Sequence, residues 1–351
     1  MPPGSVEGTA ARRGTSSSVG LPLSSPDAER ALAAGILASH GRGSLDSFKL
    51  WPDKSYFFSN DHRSFVAYRT AWGVALSLGD PAGPAEAMPR MIGEFTGFGA
   101  ERGWNVAFHQ ALPDLLPIYR GFGFHVLKIG EEAIVDLDRF AAQTCERRPF
   151  RRVQRKLDGA GYRVVQETLP HPEALIDELE QVSREWLSLP GRRERTFALG
   201  QFERSYIRDT PVFAVRDPEG RLIAFVNRIR CFGAGEATID LMRHRLEVPN
   251  GVMEYLFRAS MLAAREEGCQ RFSLGLAPLA GVGARPDASF EERAVRQLFE
   301  HLHGVFSFKG LLAFKAKFEP RWEERFLIHQ GGALGLTRTA FALRRVTESR
   351  R

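Results

Sequence analysis

The feature that most narrows the fold is an order of elements that runs twice along the chain. Residues 63–81, RSFVAYRTAWGVALSLGDP, hold two apolar, β-rich runs that predict a strand pair ending at the turn signal Gly79-Asp80-Pro81. A helix is predicted over 85–102, then a short buried strand in WNVAFHQ, a helix in LPDLLPIYRGFGF that stops at glycine, and a further strand pair in HVLKIGEEAIVDL. Past a basic helical segment, CERRPFRRVQRKLDGAG, the order returns. PVFAVRDPEGRLIAFVNRI reads as a hairpin turning at Asp217-Pro218-Glu219-Gly220, and ATIDLMRHR as the next strand. GVMEYLFRASMLAAREEG is amphipathic and ends at Gly268, CQRFSLGLAPL is a buried strand, and a helix over 291–303 leads to GVFSFKGLLAFKAKF, read as the last strands. The repetition lies in element order and not in letters. The expectation is a duplicated α/β fold (α+β, with mixed sheets).

Hairpin, strand, helix, strand, helix, aromatic-glycine turn, strand resembles the acyltransferase fold of the GNAT type, here in tandem. In that fold the central strands splay and open a crevice where an acyl donor meets a nucleophile. The expected organisation is a disordered leader over 1–27, a first unit over 28–140, a basic linker helix over 141–165, a second unit over 166–335 carrying the active site, and a C-terminal tail over 336–351. The leader is rich in Ser, Gly and Pro and lacks the apolar core of a secretory signal. DAERALAAGILASHG follows with helical spacing and Asp27 as its expected N-cap.

Charge and hydropathy exclude several classes. No uninterrupted apolar run approaches the roughly 20 residues that a membrane-spanning helix needs. Lys and Arg number 48 against 42 Asp and Glu, a formal +6 that fits a phosphate-bearing partner without requiring one. Cys145, Cys231 and Cys269 are far apart with no paired spacing for zinc, so they are read as reduced and structural and no metal site is expected. A cytoplasmic location is the default.

The segment ATIDLMRHR poses a problem of placement. Strict alternation puts Asp240 and Met242 on one face of a strand, and Leu241 and Arg243 on the other. A strand that ends or bulges at a crevice would let Asp240 and Arg243 reach one site; a partly buried ion pair is the structural alternative.

From about Ala28 to Gln330 the chain resembles the cytosolic catalytic region of the aminoacyl-phosphatidylglycerol synthases, the multiple peptide resistance factors. The resemblance is carried by DKSYFFS at Asp53, GDPAGP at Gly79, YRGFGF at Tyr119, KIGEEAIVDL at Lys128, FALGQF at Phe197, IDLMR at Ile239, LGLAPLAGVG at Leu274 and FKGLLAFKAKFEPRWEERFL at Phe308. It implies transfer of an amino acid (Lys, Ala or Arg) from its aminoacyl-tRNA to a glycerol hydroxyl of phosphatidylglycerol, at the inner face of the cell membrane. Usual family members also carry a multi-helix membrane region proposed to flip the product lipid. This sequence has none, so the expectation is an excised domain or a stand-alone relative, with a separate membrane flippase as a candidate partner.

Ester exchange of this kind needs no ATP, metal, redox group or other cofactor. It needs a base, donors for an oxyanion and a group that holds the substrate ammonium. Asp240 suits the ammonium or the base, and Arg243 a phosphate of lipid or tRNA. Lys315 and Lys317 would share a face of a last strand, with the family pattern favouring Lys315 as a phosphate or oxyanion ligand and a solvated edge lysine as the alternative. Glu300 is a further candidate base or ammonium partner, or else an exposed helix glutamate. Gly275, in the small-residue run LGLAPLAGVGARP, suits close approach to a substrate, and Tyr206 either lines the pocket or packs as an ordinary aromatic. Arg151, Arg152 and Arg155 recur at helical spacing, an electrostatic stripe for tRNA phosphates or an anionic membrane surface, or simply a solvated face.

HRLEVPNGVM lacks the glycine-rich loop that cradles the pyrophosphate of coenzyme A, which weighs against an acyl-CoA donor. Two other readings stand beside the aminoacyltransferase. One is the same fold with another acceptor, such as the peptide substrates of the Fem transferases. The other is a binding module for tRNA or anionic membrane without catalysis.

Overall fold

The computed structural model describes residues 25–229, 231–233, 235–282 and 308–348. Its strands are β1 (Ser55–Phe58), β2 (Phe65–Ala71), β3 (Val74–Leu78), β4 (Asn105–Ala111), β5 (His125–Asp136), β6 (Arg163–Gln166), β7 (Val212–Arg216), β8 (Leu222–Ile229), β9 (Glu236–His244), β10 (Arg271–Pro278) and β11 (Arg321–His329). All join one 11-stranded sheet in the order β1-β2-β3-β4-β11-β5-β10-β9-β8-β7-β6. Two neighbouring pairs are parallel, β3 with β4 and β9 with β10, and the rest are antiparallel. Setting the edge strand β6 aside, this pattern reads the same from both ends, with its centre between β5 and β11. The duplication seen in element order is therefore present in the topology. The halves also exchange strands: β11, from the end of the chain, lies between β4 and β5. Each half completes the other's hydrogen-bond ladder, and the result is one mixed α/β sheet.

Apolar clusters cover both sides of the sheet. The helix Val252–Glu266 buries Val252, Leu256, Phe257 and Met261 against β8, β9 and β10, and the helix Met88–Glu101 buries Met91, Ile92 and Phe95 against β2 and β4. Burying each such side chain contributes roughly 1.5–3 kcal/mol.

Several sequence expectations change for local reasons. Residues 125–136 form one long strand and not a pair; a glycine stands at position 130, with φ +157°, because a side chain there would strike the backbone of Ala277 on β10. Ser25, not Asp27, caps the first helix, its Oγ accepting from the Ala28 N–H at 3.2 Å. FKGLLAFKA, expected as strand, is the helix Phe308–Ala316. A short apolar run satisfies either period, and the Phe314–Phe318 pair, with ring centroids 5.4 Å apart, packs against Phe257. Residues 336–347, expected as part of a tail, belong to the helix Gly332–Thr347, which buries Ala342, Leu343 and Val346. The expected helix over 291–303 and Glu300 lie outside the described residues.

Candidate active site

The parallel ladder between β9 and β10 covers only Glu236 to Thr238 opposite Arg271 to Ser273. Beyond it the two strands part. Asp240 lies two residues past the last pair on β9, and Gly275 lies two residues past it on β10. Gly275 takes φ +75°, where the β10–β5 register also shifts; the left-handed backbone accounts for glycine here.

On β9 the parting coincides with a bulge. Val226 of β8 pairs Met242, and Arg228 pairs Ile239, so Asp240 and Leu241 together oppose the single residue Asn227. The bulge leaves the Leu241 N–H without a ladder partner, and Asn227 Oδ1 accepts it at 2.8 Å. Ile239 and Met242 pack with the cluster under the helix Val252–Glu266, whereas Leu241 packs on the side of the helix Glu173–Leu187. Asp240 and Arg243 both point to that second side. The extra residue thus resolves the alternation problem that ATIDLMRHR posed.

Asp240 is half-buried and held at both oxygens. Oδ1 accepts from the Gly200 N–H at 2.8 Å and Oδ2 from the Tyr206 hydroxyl at 2.7 Å. Asn227 Nδ2 donates to that hydroxyl at 3.0 Å, and the Tyr206 ring sits edge-on to Trp51 with centroids 4.9 Å apart. A side chain at position 200 would collide with the Asp240 carboxyl and with Trp51, so the glycine of FALGQF is what lets the backbone reach the acid. Burial pushes the Asp240 carboxyl up to about 6, against the hydrogen bonds from Tyr206 and Gly200 and the charge of Arg243. An acid of that strength is half ionised at about pH 6 and largely ionised at neutral pH.

Arg243 is 4% exposed. Its Nη2 donates to Glu194 Oε2 at 2.8 Å, and its guanidinium lies 4.0 Å from the centre of the Trp186 ring. Nε and Nη1 are buried without a hydrogen-bond partner among the described residues. Two idle donors on one buried cation cost free energy unless a ligand oxygen takes them up. Glu194, Trp186, Gly200 and Asn227 were not singled out in the sequence. Two of them left a signal: Gly200 lies in the motif FALGQF, and Asn227 is a polar side chain inside the buried run LIAFVNRI.

Across the gap, Lys315 is buried and its ammonium donates to the carbonyls of Gly275 at 2.9 Å and Leu276 at 2.7 Å. Burial lowers its pKa to about 7, with the nearby charge of Glu132 opposing. Leu276 and Tyr206 pack in one apolar cluster, which ties the two sides of the crevice together. Lys317 does not share a face with Lys315. It is in the turn after the helix, its side chain 51% exposed and paired with Glu254 at 2.5 Å, so it is no part of this cluster. Arg151, Arg152, Arg155 and Lys156 are exposed on the helix Arg148–Gly159, while Arg147 pairs Glu319. That helix packs on the start of the helix Val252–Glu266, where a side chain at Gly251 would strike Val153. His109 is a buried core histidine, its pKa lowered by burial to about 4.

The Tyr206 hydroxyl donates to Asp240 and so bears on the ionisation of that acid. Tyr206→Phe should remove one stabilising donor, raise the acid's pKa above about 6, and shift the acidic limb of activity to higher pH. A pH profile of the variant checks this; an unmoved limb would make Tyr206 a packing residue only.

Residues 34–329 match the family described as phosphatidylglycerol lysyltransferase, C-terminal. The phosphatidylglycerol lysyltransferase of Bacillus subtilis is 33% identical over 297 residues, 85% of this chain and 34% of that protein. That of Staphylococcus aureus strain MRSA252 is 31% identical over 84% of this chain and 35% of its own. The chain thus spans about a third of the length of these relatives. Among solved structures, the C-terminal domain of a lysylphosphatidylglycerol synthetase assigned in Agrobacterium fabrum superposes with a TM-score of 0.79 at 32% identity, over 93% of this chain and 98% of that one. L-PGS from Bacillus licheniformis gives 0.77 at 30% identity with the same coverages. FemX shares the fold at a TM-score of 0.55 and 12% identity, over 85% of this chain and 95% of its own. Family match, relatives and sheet agree, and the chain belongs to the phosphatidylglycerol lysyltransferase C-terminal family.

Proposed function

We propose that this domain moves an aminoacyl group from aminoacyl-tRNA to a glycerol hydroxyl of phosphatidylglycerol, so that an anionic lipid gains a cationic or neutral headgroup. The observation that carries the reading is the Asp240 carboxylate, fixed by Tyr206 and Gly200 at the bulge where β9 leaves β10. In the proposed step Asp240 takes the proton of the lipid hydroxyl as its oxygen bonds the aminoacyl carbonyl carbon. The bond from that carbon to the terminal ribose oxygen of the tRNA then breaks, and the ribose oxygen receives the proton from Asp240. One ester replaces another with no net proton or electron change. Lys315 stabilises the oxyanion of the tetrahedral intermediate, and the idle Nε and Nη1 of Arg243 hold a substrate oxygen. The site works at the inner face of the membrane, where both substrates are available.

Purified protein, phosphatidylglycerol vesicles and a set of tRNAs each charged with a different labelled amino acid make the test. Label in the extracted lipid establishes the reaction and names the amino acid. Intact aminoacyl-tRNA with no labelled lipid, from folded protein, would overturn it.

The exposed arginines of the helix Arg148–Gly159 suit the tRNA backbone. Replacing Arg151, Arg152 and Arg155 together with Gln should weaken tRNA binding and reduce its log–log salt slope by roughly 2–3, given about 0.7–0.9 per phosphate contact. Filter binding at several salt concentrations reads this out, and an unchanged slope would remove the helix from the tRNA interface.

A further inference from the structure

On the outer face of the helix Gly332–Thr347, Leu334, Arg338, Phe341 and Arg345 recur at i, i+4, i+7 and i+11, a single stripe along the helix. Leu334 is 81% and Phe341 49% exposed, unusual for large apolar side chains. The stripe ends beside Trp72, which lines the same surface depression as Arg345 and is 70% exposed. Trp72 and Gly73 are the two central residues of the β2–β3 hairpin, with Ala71 paired to Val74 and φ values of +52° and +70°. That geometry favours Asn or Gly at the first position, and a bulky aromatic there is strained. The hairpin thus holds a tryptophan out in solvent at a conformational cost. Arg338 and Arg345 have no ion-pair partner among the described residues, and the stripe carries no acid. The nearest acid in sequence, Glu348, is held by Arg344 and Arg193.

We infer that Trp72, Leu334 and Phe341, flanked by Arg338 and Arg345, form a face that docks on an anionic lipid surface. Apolar side chains that enter the acyl boundary, with arginines at headgroup level, are what an interfacial helix needs. Unpaired cations match a membrane of negative potential, and an aromatic with a polar edge suits the interface itself. The partner's chemistry is drawn from this stripe alone and does not depend on the transfer reaction.

The inner face of the same helix gives docking a route to the crevice. Ala342, Leu343 and Val346 share an apolar cluster with Phe197, Tyr206 and Leu276. The Val346 carbonyl accepts from Thr196 Oγ1 at 2.9 Å and Arg69 Nη1 at 2.7 Å, immediately before the segment that carries Gly200. Seating the helix on a bilayer sets the crevice at a defined position relative to the lipid headgroups.

Sedimentation with vesicles of phosphatidylcholine alone, or mixed with phosphatidylglycerol, tests the face. The wild-type protein should pellet with the mixed vesicles and much less with phosphatidylcholine. Leu334→Ser with Phe341→Ser, and Arg338→Glu with Arg345→Glu, should each lower that partitioning at least tenfold with unchanged thermal unfolding. Brominated phosphatidylglycerol should quench fluorescence in the wild type and less in Trp72→Phe. Unchanged binding by both double variants overturns the inference, as does loss of binding only when Arg151, Arg152 and Arg155 are neutralised. Self-association of the wild type that these substitutions abolish, with no vesicle binding, would assign the face to a second copy instead and also overturn it. Vesicle binding without transfer of label leaves this face standing and removes the proposed reaction.

Discussion

Single-turnover transfer should trace a bell in pH, rising as Asp240 loses its proton near pH 6 and falling as Lys315 loses its own near pH 7. The signs follow from the roles. A base works deprotonated, so activity grows as pH climbs through the raised pKa of the acid. An oxyanion partner works protonated, so activity declines as pH passes the lowered pKa of the buried lysine. Asp240→Asn should cut the rate by roughly 10²–10⁴ and remove the acidic limb, without loss of folding. Lys315→Arg should retain a charge that no accessible pH removes, and the alkaline limb should disappear at a reduced rate. If Asp240→Asn keeps both limbs, the carboxylate is not the base. A variant that still binds tRNA with wild-type affinity yet makes no product also separates an enzyme from a binding module.

The largest loss of stability is expected at the centre of the sheet. Glu132 on β5 and Arg325 on β11 are buried together where the two halves exchange strands, their side chains 5% and 6% exposed. Glu132 Oε2 accepts from Arg325 Nε at 2.9 Å and Nη2 at 2.5 Å, while Oε1 accepts from the Ser44 hydroxyl at 2.6 Å and from that of Ser273. Such a pair adds little over an apolar replacement, but removing Glu132 leaves the buried Arg325 with only the longer, more exposed contact to Glu323, 3.3 Å away. Glu132→Ala should therefore cost about 3–5 kcal/mol and lower the melting temperature by roughly 5–15 °C. Arg325→Met added to Glu132→Ala should recover part of it, because no buried guanidinium is then left with only the Glu323 contact. A calorimetric cycle with no such recovery would contradict the account. Loss of the Glu132 charge also removes an influence that raises the Lys315 pKa, so any residual activity should fall off at lower pH than in the wild type.

Much of the fold was legible from the sequence. Glycine, proline and hairpin signals are local, and β2, β3, β4, β7, β8, β9 and β10, the turn at 217–220 and the helices 88–101, 148–159 and 252–266 follow from residues close in the chain, whereas β1, β6 and β11 do not. Where periodicity was ambiguous the reading slipped. FKGLLAFKA has apolar residues enough for either period, and the aromatic pocket around Phe257 and Phe318 decided for helix. That choice separated Lys315, buried on the carbonyls of Gly275 and Leu276, from Lys317, turned out to Glu254. The leucine-rich run from 332 gave no site motif, and its burial against β2 and β3 became visible only when those strands were in place.

The sequence by itself determined the repeated element order, the family to which the motifs point, and the acidic and basic residues of IDLMR and FKxKF. Those are properties of types and spacings along the chain. Tertiary structure alone decided that β11 would enter the first half of the sheet, because strand pairing depends on partners distant in sequence. It also decided that one bulge, closed by the side chain of Asn227, would turn Asp240 and Arg243 to the same side. Alternation along a strand is a local rule, whereas the insertion that breaks it is set by the neighbouring strand. The donors that hold Asp240, from Gly200 and Tyr206, lie 40 and 34 residues away in the chain, and only packing brings them within hydrogen-bond reach.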